Sequence, residues 1–317
     1  MADKKDQFYT RPPKLGKWEG FRQFLWNSET GQFMGRTGSS WGKILLFYFI
    51  FYAVLIGFFT ALVAVFYQTL DPRTPKWQLD SSLIGSNPGL GFRPMPPESN
   101  VDSTLIWYKS SDKGNVQYWQ RELNAFLTSY KKENNPHYNN VEQCNTFQRP
   151  SEGKVCDVNM NQQWSPCLQE MSYGFENDKS GPCIFLKLNK IYGWVPEYYN
   201  TSTLPQSDEA MPAYLKKVIV DAEKQQKHHM VWVTCEGENP ADKENIGSIR
   251  FIPARGFPSQ YFPFKNEYGY LSPLVAVYFE EPRRGVLINI ECKAWAKNVH
   301  HDRVDRRGSV HFELMVD

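Results

Sequence analysis

A chain of 317 residues with a formal net charge of +2 can hold a short leader, one membrane span and one sizeable soluble domain, and its near balance of charge points to no particular partner. No basic tract interleaved with aromatics occurs, so nucleic-acid binding has no support. All six cysteines, Cys144, Cys156, Cys167, Cys183, Cys235 and Cys292, follow the longest apolar run, an asymmetry that separates a reducing side from an oxidising one.

Met1 to Trp41 is polar and loosely patterned, with Pro12-Pro13 and a Gly/Ser stretch from Gly35 to Ser40, and most of it reads as flexible. Within it Trp18, Phe21, Phe24, Leu25 and Trp26 could make a short amphipathic helix at a membrane surface, a solvated linker being the rival reading.

No residue from Ile44 to Tyr67 is charged, and at about 1.5 Å per residue this run exceeds the roughly 30 Å hydrocarbon core. It reads as a membrane-spanning helix; a signal peptide would be shorter and nearer Met1. On a helical projection Tyr48, Tyr52, Leu55, Phe59, Leu62 and Phe66 form one stripe and Ala53, Gly57, Ala61 and Ala64 the opposite one. Small residues four apart let another backbone approach, and a phenol inside lipid needs a hydrogen-bond partner. The helix is therefore expected to have a protein neighbour.

Lys/Arg counts close to the span tie, Arg36 and Lys43 against Arg73 and Lys76, but the whole leader carries eight basic residues against four acidic ones. Asn200-Thr201-Ser202, the sole Asn-x-Ser/Thr acceptor without an intervening proline, lies on the same side as the cysteines. The expected organisation is a cytoplasmic tail (1–43), a transmembrane helix (44–67) and an extracellular or lumenal disulfide-bonded domain (68–317).

The first part of that domain, 68–100, is rich in proline and glycine and reads as a stalk of turns and extended chain, not a core element. Helical spacing follows at Trp119, Leu123, Phe126, Leu127 and Tyr130, and again after Pro212 at Tyr214, Leu215, Val218, Ile219 and Ala222. Strand signals dominate the remainder. Ile184, Leu186 and Leu188 alternate with Phe185, Lys187 and Asn189; Val231 to Cys235 is β-rich; Leu274 to Phe279 is apolar throughout, as a central strand would be. Val286, Ile288, Ile290 and Cys292 alternate, as do Val310, Phe312, Leu314 and Val316. The fold class expected is a single transmembrane helix followed by a mainly β sandwich with helical insertions.

Six cysteines allow fifteen pairings, and spacing cannot choose among them. Sequential pairing is the simplest; it closes two short loops worth roughly 3 kcal/mol each and a longer one, Cys235 with Cys292, worth roughly 4. Zinc is disfavoured by the lack of Cys-x-x-Cys and by an oxidising compartment.

Nothing names a nucleophile or a base. The Ser-x-x-Lys matches at Ser110 to Lys113 and at Ser129 to Lys132 lack companion motifs, and the adjacent pairs His228-His229 and His300-His301 cannot share a helix face as zinc-binding pairs do. No catalytic, cofactor or metal site is expected.

Several segments nevertheless resemble one family. Phe24-Leu25-Trp26-Asn27-Ser28-Glu29, Gly35 to Trp41 and Lys43 to Tyr48 look like the juxtamembrane signature of the β subunits of Na+/K+-transporting ATPases. Pro88-Gly89-Leu90, Leu186-Lys187-Leu188-Asn189, Gln260-Tyr261-Phe262-Pro263, Leu274-Val275-Ala276-Val277 and Ile290-Glu291-Cys292-Lys293-Ala294 are similar to that family in its order. The resemblance implies an immunoglobulin-like ectodomain with sequentially paired disulfides. It also implies a non-catalytic, type II plasma-membrane subunit that carries the catalytic α subunit out of the endoplasmic reticulum and modulates its K+ affinity. Implied partner contacts are Tyr48, Phe51 and Tyr52, with Gly57, Tyr261 and Phe262; implied partners are the α subunit, the lipid bilayer and a second small single-span regulator. Departures are the lone acceptor Asn200, phenylalanines at 262 and 264 where tyrosines are usual, and a longer His-rich helix near Lys216 to His229. Alternatives are the β subunit of an H+/K+ pump, a single-pass adhesion protein or receptor, and a lumenal glycosyltransferase, whose Asp-x-Asp metal motif does not occur here.

Overall fold

The computed structural model describes residues 16–317 apart from 98, 100–102, 177–180, 208–209 and 303. Two compact units make up the chain, Met1–Asp71 and Pro72–Asp317.

In the first unit, Lys17–Leu25 forms helix α1, with Trp18, Phe21, Phe24 and Leu25 at the three- and four-residue spacing of one face. Three two-residue strands follow, β1 (Trp26–Asn27), β2 (Gln32–Phe33) and β3 (Arg36–Thr37), paired antiparallel in that order. Asn27 Oδ1 accepts from the backbone N–H groups of Glu29 (3.1 Å) and Thr30 (3.4 Å), an Asx turn that folds β1 back toward β2. Met34, at φ 49°, and Gly35, at φ 75°, are the two left-handed residues of the turn between β2 and β3. The short helix offered for Trp18 to Trp26 is present as α1, and the expected loose chain is corrected over 26–37, where turn chemistry builds three short strands; the first fifteen residues lie outside the described residues.

Helix α2 runs from Gly38 to Gln68, 31 residues, about 46 Å at 1.5 Å per residue. It is the one helix among the described residues long and apolar enough to cross a membrane. It starts ahead of the uncharged run because Thr37, in extended conformation, ends β3 directly at Gly38 and no proline stands between Ser39 and Lys43.

The second unit is a two-layer β sandwich. Its regular elements are β4 (Leu90–Arg93), β5 (Leu105–Tyr108), α3 (Lys113–Leu127), β6 (Val141–Glu142), β7 (Val155–Cys156), β8 (Cys183–Leu188), α4 (Ala213–Lys224), β9 (Met230–Gly237), α5 (Pro240–Asn245), β10 (Ile249–Ile252), β11 (Gly256–Pro258), β12 (Leu274–Phe279), β13 (Ile288–Trp295) and β14 (Ser309–Val316). One sheet has the order β10-β12-β8-β4 and is antiparallel; the other has the order β11-β9-β13-β14-β5, with β5 parallel to β14. Inner faces meet through rings such as Phe92 of β4 and Phe312 of β14, whose centroids lie 5.1 Å apart.

Two expectations are corrected here. Leu90–Arg93, read as stalk, is a strand of the first sheet whose Leu90 and Phe92 are core residues. The alternation Leu-Gly-Phe-Arg is only four residues long and sits among prolines and glycines, which hid it. Phe185, read as the outward side of an alternating strand, is fully buried, because Trp164 (6.2 Å) and Tyr173 (6.0 Å) cover the outer face of β8. On the second sheet α4 performs the same service, packing Leu215 and Ile219 with Met230, Trp232 and Trp295.

Caps explain where the helices start. Asp112 accepts from the backbone N–H groups of Gly114 (2.9 Å) and Asn115 (3.3 Å) at the head of α3. Pro240 opens α5 inside a capping box of Asn239 and Asp242.

Candidate partner interface of the membrane helix

Every side chain of α2 is at least partly exposed, so the stripes expected from spacing are real surfaces. Tyr48 and Tyr52, one turn apart, stack at 6.1 Å; Phe47 and Phe51 stack at 6.2 Å; Phe51 meets Tyr52 edge-on at 5.4 Å. Four rings therefore make one continuous aromatic plate over two turns. Phe47 belongs to it and was not singled out from the sequence, although its spacing of four from Phe51 carried that information. Among the described residues neither Tyr48 nor Tyr52 has a hydrogen-bond partner for its hydroxyl, whereas Thr60 donates to the carbonyls of Ile56 (2.8 Å) and Gly57 (3.0 Å) within its own helix. The polar demand of α2 thus falls on the tyrosines. On the opposite side a Cβ at Gly57 would meet nothing within 4 Å, so the groove is open.

Tyr261 and Phe262, the expected partner contacts of the ectodomain, turn inward. Phe262 is 9% exposed and packs edge-on against Trp194 at 5.6 Å. The Tyr261 hydroxyl donates to the Asp157 carbonyl (2.8 Å), and the Tyr261 carbonyl accepts from the Tyr270 hydroxyl (3.2 Å). Burial is the main cause that pushes the Tyr261 phenol up to about 12, with the nearby Asp157 charge adding to it. These side chains hold the loop between β11 and β12 in place. Nothing in the sequence distinguished an inward from an outward tyrosine there.

The remaining candidates are placed as follows. Cys144–Cys156, Cys167–Cys183 and Cys235–Cys292 are disulfides, with Cα separations of 5.4, 5.6 and 4.0 Å. Asn200 is half-buried at the head of a single helical turn; its Oδ1 accepts from the hydroxyls of Ser202 and Thr203, each at 2.8 Å. Thr201 and Ser202 are exposed, and the Thr201 N–H donates to Glu223 of α4 (2.7 Å). The His-rich helix expected near Lys216 to His229 is corrected: α4 ends at Lys224, Gln226 turns left-handed (φ 57°) and the Lys227 N–H caps the Ala222 carbonyl (2.8 Å), so His228 and His229 lie outside it. Among the described residues no group of three or more His, Cys, Asp or Glu side chains is arranged to hold a metal ion.

The described residues thus comprise an apolar helix with exposed aromatic and small-residue faces and a disulfide-bonded β sandwich. Comparison with known proteins agrees in kind. Residues 11–312 match the family described as sodium/potassium ATPase beta chain. Over 316 residues, 98% of this chain and 96% of the relative, the sequence is 52% identical to sodium/potassium-transporting ATPase subunit beta-2 of Drosophila melanogaster. Identity is 41% to subunit beta-1 of the same organism over 307 residues (96% and 95% of the two chains) and 31% to human subunit beta-2 over 316 residues (94% of each).

Proposed function

Because the chain belongs to the sodium/potassium ATPase β-chain family, we propose that it serves as the non-catalytic accessory subunit of a Na+/K+-transporting ATPase. In this reading it assembles with the multispanning catalytic subunit, carries it out of the endoplasmic reticulum to the plasma membrane and modulates its K+ affinity. The tail is cytoplasmic and the sandwich extracellular, with the disulfides formed and Asn200 glycosylated in the secretory pathway.

The observation that carries the proposal is the pair of unpartnered phenols on the aromatic plate of α2. A tyrosine hydroxyl in hydrocarbon gains from any acceptor on a neighbouring helix, and the broad aromatic face formed with Phe47 and Phe51 offers the close packing that drives association where lipid supplies no hydrophobic force. Gly57 and the alanines opposite leave room for a second helix, which suits a small single-span regulator. The catalytic subunit would own the ion path, so this chain needs no acid, base or phosphate loop of its own.

Affinity purification of the full chain in mild detergent tests the reading. A stoichiometric multispanning ATPase whose hydrolysis requires Na+ and K+ together is the expected result. Recovery of the chain alone, or with single-span partners only, overturns it.

A further inference from the structure

We infer that residues 17–41 form an interfacial docking module that binds the anionic headgroup surface of the leaflet at which α2 begins. The inference rests on the proposed orientation only in naming that leaflet as the cytoplasmic one, and it concerns a site separate from the partner interface.

Depth comes first. Trp41 precedes Ile44 by three residues, about 4.5 Å along the helix, which places it inside a headgroup layer of roughly 5–7 Å per leaflet. Its Nε1 donates to the Phe33 carbonyl (2.8 Å), and the two rings lie 6.2 Å apart. Strand β2 is therefore pinned to the membrane helix at headgroup depth. Phe33 pairs with Trp26 in β1 and with Arg36 in β3, and the Met34 N–H donates to the Leu25 carbonyl at the end of α1 (3.1 Å). The ring of Phe24 lies against Gly35, 3.7 Å from where a Cβ would stand. A chain of contacts thus fixes α1 to the head of α2.

The surface so positioned is apolar. Trp18 is 83% exposed and Phe21 53%, and Phe24, Leu25, Trp26, Phe33 and Met34 are exposed with them. In α1 the four apolar residues occupy one third of the helix circumference, while Glu19, Arg22 and Gln23 occupy the other side. Seven large apolar side chains held at headgroup depth by a membrane helix face the acyl boundary, not bulk water.

Charge selects the lipid. The module carries Lys17, Arg22 and Arg36 against Glu19 and Glu29, Lys43 follows it at the head of the span, and the sequence before it adds Lys4, Lys5, Arg11 and Lys14 against Asp3 and Asp6. Lys17 sits within the apolar arc, where its long stem can lie on the acyl boundary while the ammonium reaches a phosphate. An excess of cations beside exposed indoles and phenyl rings fits an anionic lipid surface.

The test uses the full chain in nanodiscs. All six native cysteines are in disulfides, so an engineered thiol takes an environment-sensitive label uniquely. Label at Phe21→Cys should be blue-shifted and quenched several-fold more by lipids brominated near the glycerol end than label at Gln23→Cys. In phosphatidylserine-containing discs, each basic residue removed, Arg22→Gln and then Arg36→Gln, should lower the docked-to-free ratio about fivefold, with no such effect in phosphatidylcholine discs. Equal quenching at positions 21 and 23 overturns the docking. A label shielded from water but not quenched by lipid overturns it in favour of a protein cover, and equal docking in both disc types overturns the anionic preference. Labelling of Gln23→Cys by an impermeant maleimide in intact cells would refute the orientation instead, whatever the quenching result.

Discussion

Cys235 and Cys292 stand directly opposite one another on the neighbouring strands β9 and β13, their Cα atoms 4.0 Å apart. Such close opposition belongs to the narrow positions of an antiparallel ladder, where the flanking residues make the backbone bonds. The disulfide therefore fastens two strands that their own hydrogen bonds already pair. Its contribution lies in the unfolded chain, where it closes a loop spanning 57 positions, against 12 and 16 for the other two bridges.

Replacing both Cys235 and Cys292 by Ala should cost about 4 kcal/mol, against about 3 kcal/mol for either of the other pairs. Thermal unfolding of the full chain in detergent gives the ranking. The single change Cys292→Ser should leave the chain in the endoplasmic reticulum with an unprocessed Asn200 glycan. A smaller loss for this pair than for Cys144–Cys156 would show that the ladder, not loop closure, sets the energetics.

Tyr48→Leu combined with Tyr52→Leu keeps α2 apolar, since leucine is at least as favourable in lipid. Insertion should be normal while co-purification of the catalytic partner weakens or K+ activation of its hydrolysis shifts. The effect should be modest, because interhelical hydrogen bonds in membranes average about 0.6 kcal/mol. Unchanged assembly and unchanged K+ activation together would remove the aromatic plate from the interface.

One glycan is expected, on Asn200. Asn200→Gln and Ser202→Ala should each abolish the mobility shift that a glycosidase produces in the native chain, the second by deleting the acceptor hydroxyl while leaving the asparagine. The Thr201 N–H bond to Glu223 survives both changes, so the fold should not be the cause. A native chain that does not shift would contradict both the modification and the proposed side of the membrane.

Alkaline pH should weaken the ectodomain through its buried phenols. Tyr130 donates to the Ser272 carbonyl (3.0 Å), Tyr261 to Asp157 and Tyr270 to Tyr261, and burial raises all three above the ordinary value near 10, Tyr261 to about 12. Between those values the unfolded tyrosines release protons that the folded ones keep. Stability is then full below pH 10 and falls as pH rises toward 12. Tyr261→Phe should lose about 1 kcal/mol at neutral pH and flatten the alkaline slope. Denaturant unfolding at graded pH measures both, and an unaltered slope in this variant would assign the pH dependence elsewhere.

Long periodic signals were legible because they are local. The uncharged run of α2, the faces of α3 and α4, the central strand Leu274–Phe279 and the last two alternating strands each announce themselves within a dozen residues. Short signals were not. The hairpins of the juxtamembrane module rest on one Asx turn and on left-handed residues at Gly31, Met34 and Gly35, and β4 is four residues between turn formers; in both places the composition suggested loose chain.

By itself the sequence determined the apolar helix long enough to span a membrane, the mainly β class of the domain after it and, through its juxtamembrane and core motifs, the family. Those properties depend on hydrophobic length, on period and on residue identity, all readable along one dimension. Only the tertiary structure decided that Phe185 is covered on its outer face, that Tyr261 and Phe262 point inward and that Trp41 anchors a folded module to the helix head. Each of these depends on which distant residue arrives opposite: Trp164 and Tyr173 over β8, Asp157 over Tyr261, Trp194 against Phe262, Phe33 beside Trp41. A side chain's burial is set by its neighbours in space, and spacing along the chain says nothing about those until the backbone has folded.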